Sequence, residues 1–423
     1  MIKNIAVCSL LYGISKYSHQ DTKTQRILSV LVPSWQKLSR LGVINLLIVV
    51  IIALLGCGSG AKPETIRIGV AGPMTGSQSK MGIDVLNGAK LAVEQWNAKG
   101  GVLGKTIEIV ERDDEAKEPV AKTVAYELID AKVVGIIGHF NSGCTIPASE
   151  DYYRNNIVMI TPSATNPKVT ERQDPKTGEY YWNIFRVCGR DDVQGERAAR
   201  FVLDKLKAQR IAVMHDKTAY GQGLADYFKK AIEKSGKPEY VVYYGSFDNK
   251  ERNFKPYLST VQEKNPEVLF FGGIYDQAGL LALQMRDIGM KAIFISGDGV
   301  IDPEFLKTAG KSAEGSYLTF SELLPFAPDT NKFPGVKKFM EEYQAQFGQP
   351  GPYSIYSYDA TNILLSGIEK ANSTEGRKIA DTIHANEHDS CLGKIKFDNK
   401  GDILGSFYAI WVVKDGEFHF VEK

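Results

Sequence analysis

The sequence predicts an α/β protein built from two successive doubly wound parallel sheets. Three observations carry that expectation. At 423 residues the chain exceeds what a single hydrophobic core usually organises. Short runs rich in β-branched residues alternate with segments of helical apolar spacing, the pattern of parallel sheets covered on both faces. The alternation also runs twice, restarting after "NIFRVCGRDD" at 183–192.

In the first series, "TIRIGVAGP" (65–73) reads as a buried strand closed by Gly-Pro. The segment "GIDVLNGAKLAVEQWNAKGG" sets Val85, Ala89, Ala92, Val93 and Trp96 at helical spacing and is stopped by Gly100-Gly101. "KTIEIVERDD" (105–114) is a second strand and 118–130 a second helix. "KVVGIIG" and "NIVMITP" supply further strands around a helix that starts near Thr145. The second series reads helix 193–207, strand "RIAVMHD" (210–216), helix 221–235, strand "EYVVYYGSF" and helix 254–264. Strand "EVLFFGG", helix 276–288 and strand "KAIFISG" (291–297) complete it. Helical segments at 334–347 and 357–371 follow. Then come the turn-separated strands "GKIKFDNKGD" and "FYAIWVVKDGEF", a tail that crosses back rather than forming a third domain.

Hydrophobic content of 43% with 24% charged residues is ordinary for a globular protein, but the formal charge of +1 hides an asymmetry. Residues 1–56 hold six basic residues and one acid, Asp21, which leaves 45 basic against 49 acidic residues in the remainder. A mildly acidic body offers no electrostatic footprint for nucleic acid. Lys37-Leu38-Ser39-Arg40 precedes "LGVINLLIVVIIALLGC", an apolar run about the length of a signal-peptide core, behind an atypical N-terminal extension. Leu54-Leu55-Gly56-Cys57 resembles a bacterial lipobox. The expectation is a signal peptide with extension over 1–56, lipidation at Cys57 and a tether over 57–64, with the body periplasmic and anchored to an envelope membrane. Cys144, Cys188 and Cys391 leave room for one disulfide and a free thiol, the pairing open. No CxxC occurs, so no zinc site is expected.

In open parallel sheets, ligands sit beyond the carboxyl ends of strands, near helix N-termini. "GHFNSGCTIPAS" (138–149) is such a place, with Ser142 and Thr145 at a helix start whose unpaired N–H groups suit a carboxylate or phosphate. Simple capping by Ser142 or Thr145 is the plainer alternative. "ITPSATNP" (160–167) repeats the pattern with Ser163 and Thr165. Two hydroxyl-rich strand ends in succession favour a binding site. In the second series, Tyr220 precedes a helix, and Asp298 lies between glycines in "ISGDGV", where a carboxylate can receive an ammonium group. Turn residues bound only to backbone are the ordinary alternative for Asp298.

Enzymatic readings find little. Gly221-Gln222-Gly223 lacks the third glycine and the acidic partner of a dinucleotide fingerprint. No GxSxG, HExxH or Walker sequence occurs. His139, His215, His384, His388 and His419 are scattered, and no cofactor or metal is called for.

Taken in order, "NGAKLAVEQWNAKGGVLG", "GHFNSGCTIPAS", "ITPSATNP", "FRVCGRDDVQG", "HDKTAYGQGLA", "FFGGIYDQAG", "ISGDGV" and "GKIKFDNKGD" closely resemble the leucine/isoleucine/valine-binding proteins. These are the substrate-binding components of branched-chain amino-acid ABC transporters, and the resemblance spans Ile66 to Val413. It implies a type I periplasmic binding fold with two lobes, 65–188 with 320–405 and 189–319 with 406–423. Three hinge crossings would fall near Arg186–Arg190, Tyr317–Ser321 and Ser406. It further implies that Ser142 and Thr165 meet the ligand's α-carboxylate. The Ser163 carbonyl and Asp298 would take the ammonium, and Tyr220 would close from the second lobe. Phe140, Met81, Ile274 and Tyr275 would line the side-chain pocket. Met81 and Ile274 replace frequent aromatic residues, with Tyr275 able to substitute for the latter. Ala116 and Asn141 stand where some relatives carry a disulfide. The implied protein is a monomer that delivers a branched-chain or other apolar amino acid to a membrane permease. A sensor, or a carrier for an amide, urea or aromatic carboxylate, is the alternative.

Overall fold

Strands β1 (Thr65–Gly72) and β2 (Thr106–Asp113) lie parallel, with Ile66 opposite Ile107 and Ile68 opposite Ile109. They belong to a computed structural model that describes residues 64–322, 334–391, 393–405 and 408–423. The segments expected to be the signal peptide, the Cys57 lipobox and most of the tether fall outside the described residues.

β3 (Gly135–Ile137), β4 (Val158–Thr161) and β5 (Ile184–Arg186) complete a parallel sheet ordered β2-β1-β3-β4-β5. Helices α1 (Ser79–Ala98), α2 (Glu118–Asp130) and α3 (Ser142–Arg154) connect its first four strands. Every residue of β3, β4 and β5 is buried, which is why these strands read as unbroken apolar runs. The strand order reverses between β1 and β3, so their carboxyl ends open a crevice.

The second sheet repeats the plan. α4 (Asp191–Asp204), β6 (Ile211–His215), α5 (Ala219–Lys234), β7 (Val241–Ser246) and α6 (Lys255–Gln262) come first. Then follow β8 (Val268–Gly272), α7 (Tyr275–Asp287), β9 (Ile293–Ser296), α8 (Pro303–Ala309) and β10 (Tyr317–Phe320). The order is β14-β13-β10-β9-β8-β6-β7, parallel from β7 to β10, with its reversal between β6 and β8. Tyr317–Phe320, beside the second expected crossing, is itself a strand of this sheet.

The chain then returns to the first sheet through α9 (Pro334–Phe347), α10 (Ser354–Ala371) and α11 (Gly376–Ala385). α10 packs on α1 and beneath β3 and β4. Two glycines permit this approach: a Cβ on Gly88 would stand 2.1 Å from the Ser354 carbonyl oxygen, and one on Gly135 would stand 2.6 Å from Leu364. β11 (His388–Ser390) and β12 (Gly393–Ile395) form a small antiparallel ribbon. The last predicted strand is a hairpin, β13 (Ala409–Lys414) and β14 (Glu417–Glu422). It turns at Asp415 (φ 54°) and Gly416 (φ 76°), the positive-φ pair of a tight hairpin turn.

Helices α8 and α11, each of ten residues or fewer, are additions to the sequence reading. The disulfide for which these cysteines left room is not formed: Cys144 on α3, Cys188 after β5 and Cys391 beside the β11–β12 ribbon are all free.

Candidate functional site

The carboxyl ends of the two sheets face one another across a cavity of about 360 Å³. Phe140, Asn141, Ser142, Gly143 and Ser163 line one wall. Ala219, Tyr220, Ile274, Asp298 and Gly299 line the other, with Tyr353 from the loop ahead of α10.

On the first wall the chain leaves β3 through Gly138 at φ 125°, where a Cβ would stand 2.1 Å from the Ala71 carbonyl oxygen. Only glycine fits that approach. Asn141 occupies the N-cap of α3, yet its side chain does not cap the helix and instead donates to Gln78 Oε1 at 2.7 Å. The two hydroxyls that could have capped are engaged elsewhere. Ser142 Oγ accepts from the Asn166 amide at 3.3 Å, and Thr145 Oγ1 donates to the Asn141 carbonyl at 2.9 Å. The start of α3 therefore faces the cavity without a side-chain cap, which suits an anionic group. Ser163 Oγ donates to the Phe140 carbonyl at 2.9 Å and binds the two strand ends together.

On the second wall Asp298 follows β9 and is 3% exposed. Its Oδ1 accepts from the Tyr220 hydroxyl at 2.8 Å and its Oδ2 from the Tyr353 hydroxyl at 2.9 Å. The Gly299 amide in turn donates to Tyr220 Oη at 3.0 Å. Among the described residues no cationic side chain pairs with Asp298. Burial pushes its carboxyl above the usual range, and bonds from Tyr220, Gln194 and Tyr353 offset only part of that. Asp191, at the start of α4, is also fully buried. Burial and then the Asp298 charge push its carboxyl well up, and neither of its oxygens has a hydrogen bond of good geometry.

Of the residues singled out in the sequence, Ser142, Ser163, Phe140, Tyr220, Ile274 and Asp298 come together on the cavity. Three do not line it. Thr165 is fully buried, its hydroxyl close to Asp191 without a well-aligned bond. Met81 lies in the hydrophobic core. Tyr275 is buried, its hydroxyl donating to the Ser77 carbonyl at 2.8 Å.

The sequence reading passed over Tyr353, Asp191 and Asn166. Tyr353 lies in "GQPGPYS", a Gly/Pro turn feeding a helix start, a signal of the same kind as those at 138–149 and 160–167. Asn166 donates from Nδ2 to the Ala219 carbonyl at 2.7 Å, bridging the walls. Close approaches also explain the two glycines of Gly221-Gln222-Gly223. A Cβ on Gly223 would stand 2.6 Å from Asn166 Nδ2, and one on Gly221 would stand 2.2 Å from Asp216 Oδ1.

The sequence matches the periplasmic binding protein family over residues 65–417. It is 36% identical over 386 residues to an amino acid binding protein of Pseudomonas aeruginosa, covering 91% of this chain and 99% of that one. It is 35% identical over 375 residues to Leu/Ile/Val-binding protein homolog 2 of Brucella abortus, covering 88% and 97%. Among solved structures, leucine binding protein LivK of Thermotoga maritima superposes with a TM-score of 0.75 at 29% identity, over 84% of this chain and 97% of that one. LivJ of Streptococcus pneumoniae, solved with isoleucine, shares the fold with a TM-score of 0.74 at 24% identity, over 85% and 100%. The chain thus belongs to the periplasmic binding protein family, among its leucine/isoleucine/valine-binding members, the non-enzymatic substrate-binding components of branched-chain amino-acid ABC transporters.

Proposed function

We propose that this protein closes on an α-amino acid with an apolar side chain and presents the closed form to a membrane permease. The observation that carries the reading is Asp298: a buried carboxylate held, among the described residues, by neutral donors such as Tyr220 and Tyr353. Burying a charge is costly unless it is paired, and a ligand ammonium is the missing counter-charge. Opposite it, the uncapped start of α3 with Ser142 suits the α-carboxylate, and Phe140 and Ile274 offer an apolar surface to the side chain. Thr165, the Ser163 carbonyl and Tyr220 complete the reading, with Met81 and Tyr275 supporting the pocket from behind. Ligand contacts to both walls exist only when the lobes are closed, so binding shifts the population toward closure. Lipidation at Cys57 would keep the protein beside its permease.

Calorimetry with leucine, isoleucine and valine tests this against 4-methylpentanoate, which lacks the ammonium, and isopentylamine, which lacks the carboxylate. The amino acids are expected to bind and the two analogues to fail. Equal binding of 4-methylpentanoate would remove Asp298 from its role.

A further inference from the structure

We infer that Arg186 is a positioning residue for the ligand site, fixed by Asp402 and setting the 163–166 loop that touches both walls of the cavity. The inference rests on the amino-acid-binding reading above.

Arg186 ends β5, at the first crossing between the lobes, and is 0% exposed. Its Nη1 donates to the carbonyls of Ala164 and Asn166, each at 3.0 Å. Its Nη2 donates to Thr170 Oγ1. Its Nε meets Asp402 Oδ1 at 2.5 Å. Asp402 also accepts from Thr170 Oγ1 at 2.8 Å and from Arg190 Nη1 at 2.5 Å. One carboxylate thus clamps two arginines, Arg186 and Arg190, and the backbones pair where Arg186 bridges Asp402. Burial alone would raise the Asp402 carboxyl, but Arg186 and Arg190 outweigh it and hold it below its ordinary value.

Both Nη1 bonds of the planar guanidinium go to the 163–166 loop, while Nη2 and Nε anchor it to Thr170 and Asp402. That loop carries Ser163 and Thr165. Its Asn166 amide donates to Ser142 Oγ, and its Asn166 side chain donates to Ala219 across the cleft. Lysine could not reproduce this fork, because a single ammonium cannot reach two carbonyls, a hydroxyl and a carboxylate in one plane. The crossing and the ligand loop therefore move as one piece, and the inter-wall bond of Asn166 forms only with the loop in register.

Leucine binding to the full protein, followed by calorimetry and stopped-flow fluorescence, tests the inference. Asp402→Asn is expected to weaken binding about tenfold or more, and Thr170→Val, a neutral change of similar shape, about threefold. Both losses should appear chiefly as faster release. Asn166→Ala should also weaken binding, and combining it with Thr170→Val should cost less than the two single effects together, because both act through one loop. If Asp402→Asn does not fold, the Thr170 and Asn166 cycle decides alone. Lower melting temperature with unchanged affinity, or strictly additive effects, would overturn the inference while leaving the site reading intact. If no amino acid binds the unmodified protein, the site reading fails and takes this inference with it.

Discussion

Tyr353, held against the first sheet, donates its hydroxyl to Asp298 of the second at 2.9 Å, so each lobe reaches the same carboxylate. Tyr220 holds the other oxygen from Asp298's own side. A phenol is a neutral donor: it satisfies a lone pair without cancelling the charge, and leaves the carboxylate competent for an ammonium. Tyr353→Phe removes that donor and keeps the ring, which packs edge-on to Phe140 at 5.0 Å. A hydrogen bond to a charged group contributes about 1.5–3 kcal/mol, so amino-acid affinity should fall by roughly tenfold or more. Calorimetry on the variant checks this, and undiminished affinity would detach Tyr353 from closure.

Acid pH should weaken binding through Asp298. Its carboxyl is raised in the ligand-free protein by burial, and Asp191 is raised partly by Asp298's own charge. An ammonium favours the ionised form, so binding expels any proton held there. Affinity should therefore rise with pH up to the raised Asp298 value and level off above it. Asp298→Asn should weaken binding by roughly 30-fold or more and flatten that acid limb. Dissociation constants measured from pH 4 to 8 on both proteins decide the point.

Asp84 ties the Tyr353 loop to α1. It accepts from the Gly351 amide at 2.7 Å, the Tyr353 amide at 3.0 Å and the Tyr343 hydroxyl at 3.2 Å. Burial outweighs those bonds and pushes its carboxyl up to about 6. In the folded protein it holds its proton where the unfolded chain has lost it. Stability from this group is thus complete below the unfolded value near 3.8 and is lost as pH rises through about 6. The shift corresponds to about 3 kcal/mol. Relative to Asp84→Asn, the unmodified protein should lose stability between pH 4 and 6, read from urea unfolding at each pH. Parallel curves would show that Asp84 does not titrate there.

The strand ends that build the cavity were legible because their chemistry is local. A buried parallel strand must be apolar throughout, and the glycine, serine and aspartate that follow it stand out by contrast, as at 138–143 and 296–299. Arg186 and Asp402 were not legible in that way. Arg186 is 216 residues from Asp402, and nothing near either residue marks the partner. The family resemblance assigns Met81 and Tyr275 to the pocket. Helical spacing fits Met81 equally to the core, where it lies. Tyr275 is the first residue of α7, so its ring is carried towards Ser77 while Ile274 keeps the cavity wall.

Gly223 offers a test in which stability and binding move in opposite directions. It lies within α5, where alanine is favoured over glycine by about 1 kcal/mol through backbone entropy. On propensity alone, Gly223→Ala stabilises the protein. Yet the new methyl would stand 2.6 Å from Asn166 Nδ2, a side chain of the opposite wall that already donates to Ala219. The collision exists only when the walls meet, so it penalises closure and leaves the open lobes untouched. The variant should unfold at an equal or slightly higher temperature without ligand, bind leucine at least about fivefold more weakly, and gain less thermal stability from saturating leucine. Removing the opposing amide by Asn166→Ala in the same protein should recover part of the lost affinity, because it deletes the clash. A variant that binds leucine as tightly as the unmodified protein would mean that Asn166 does not approach α5 in the ligand-bound state.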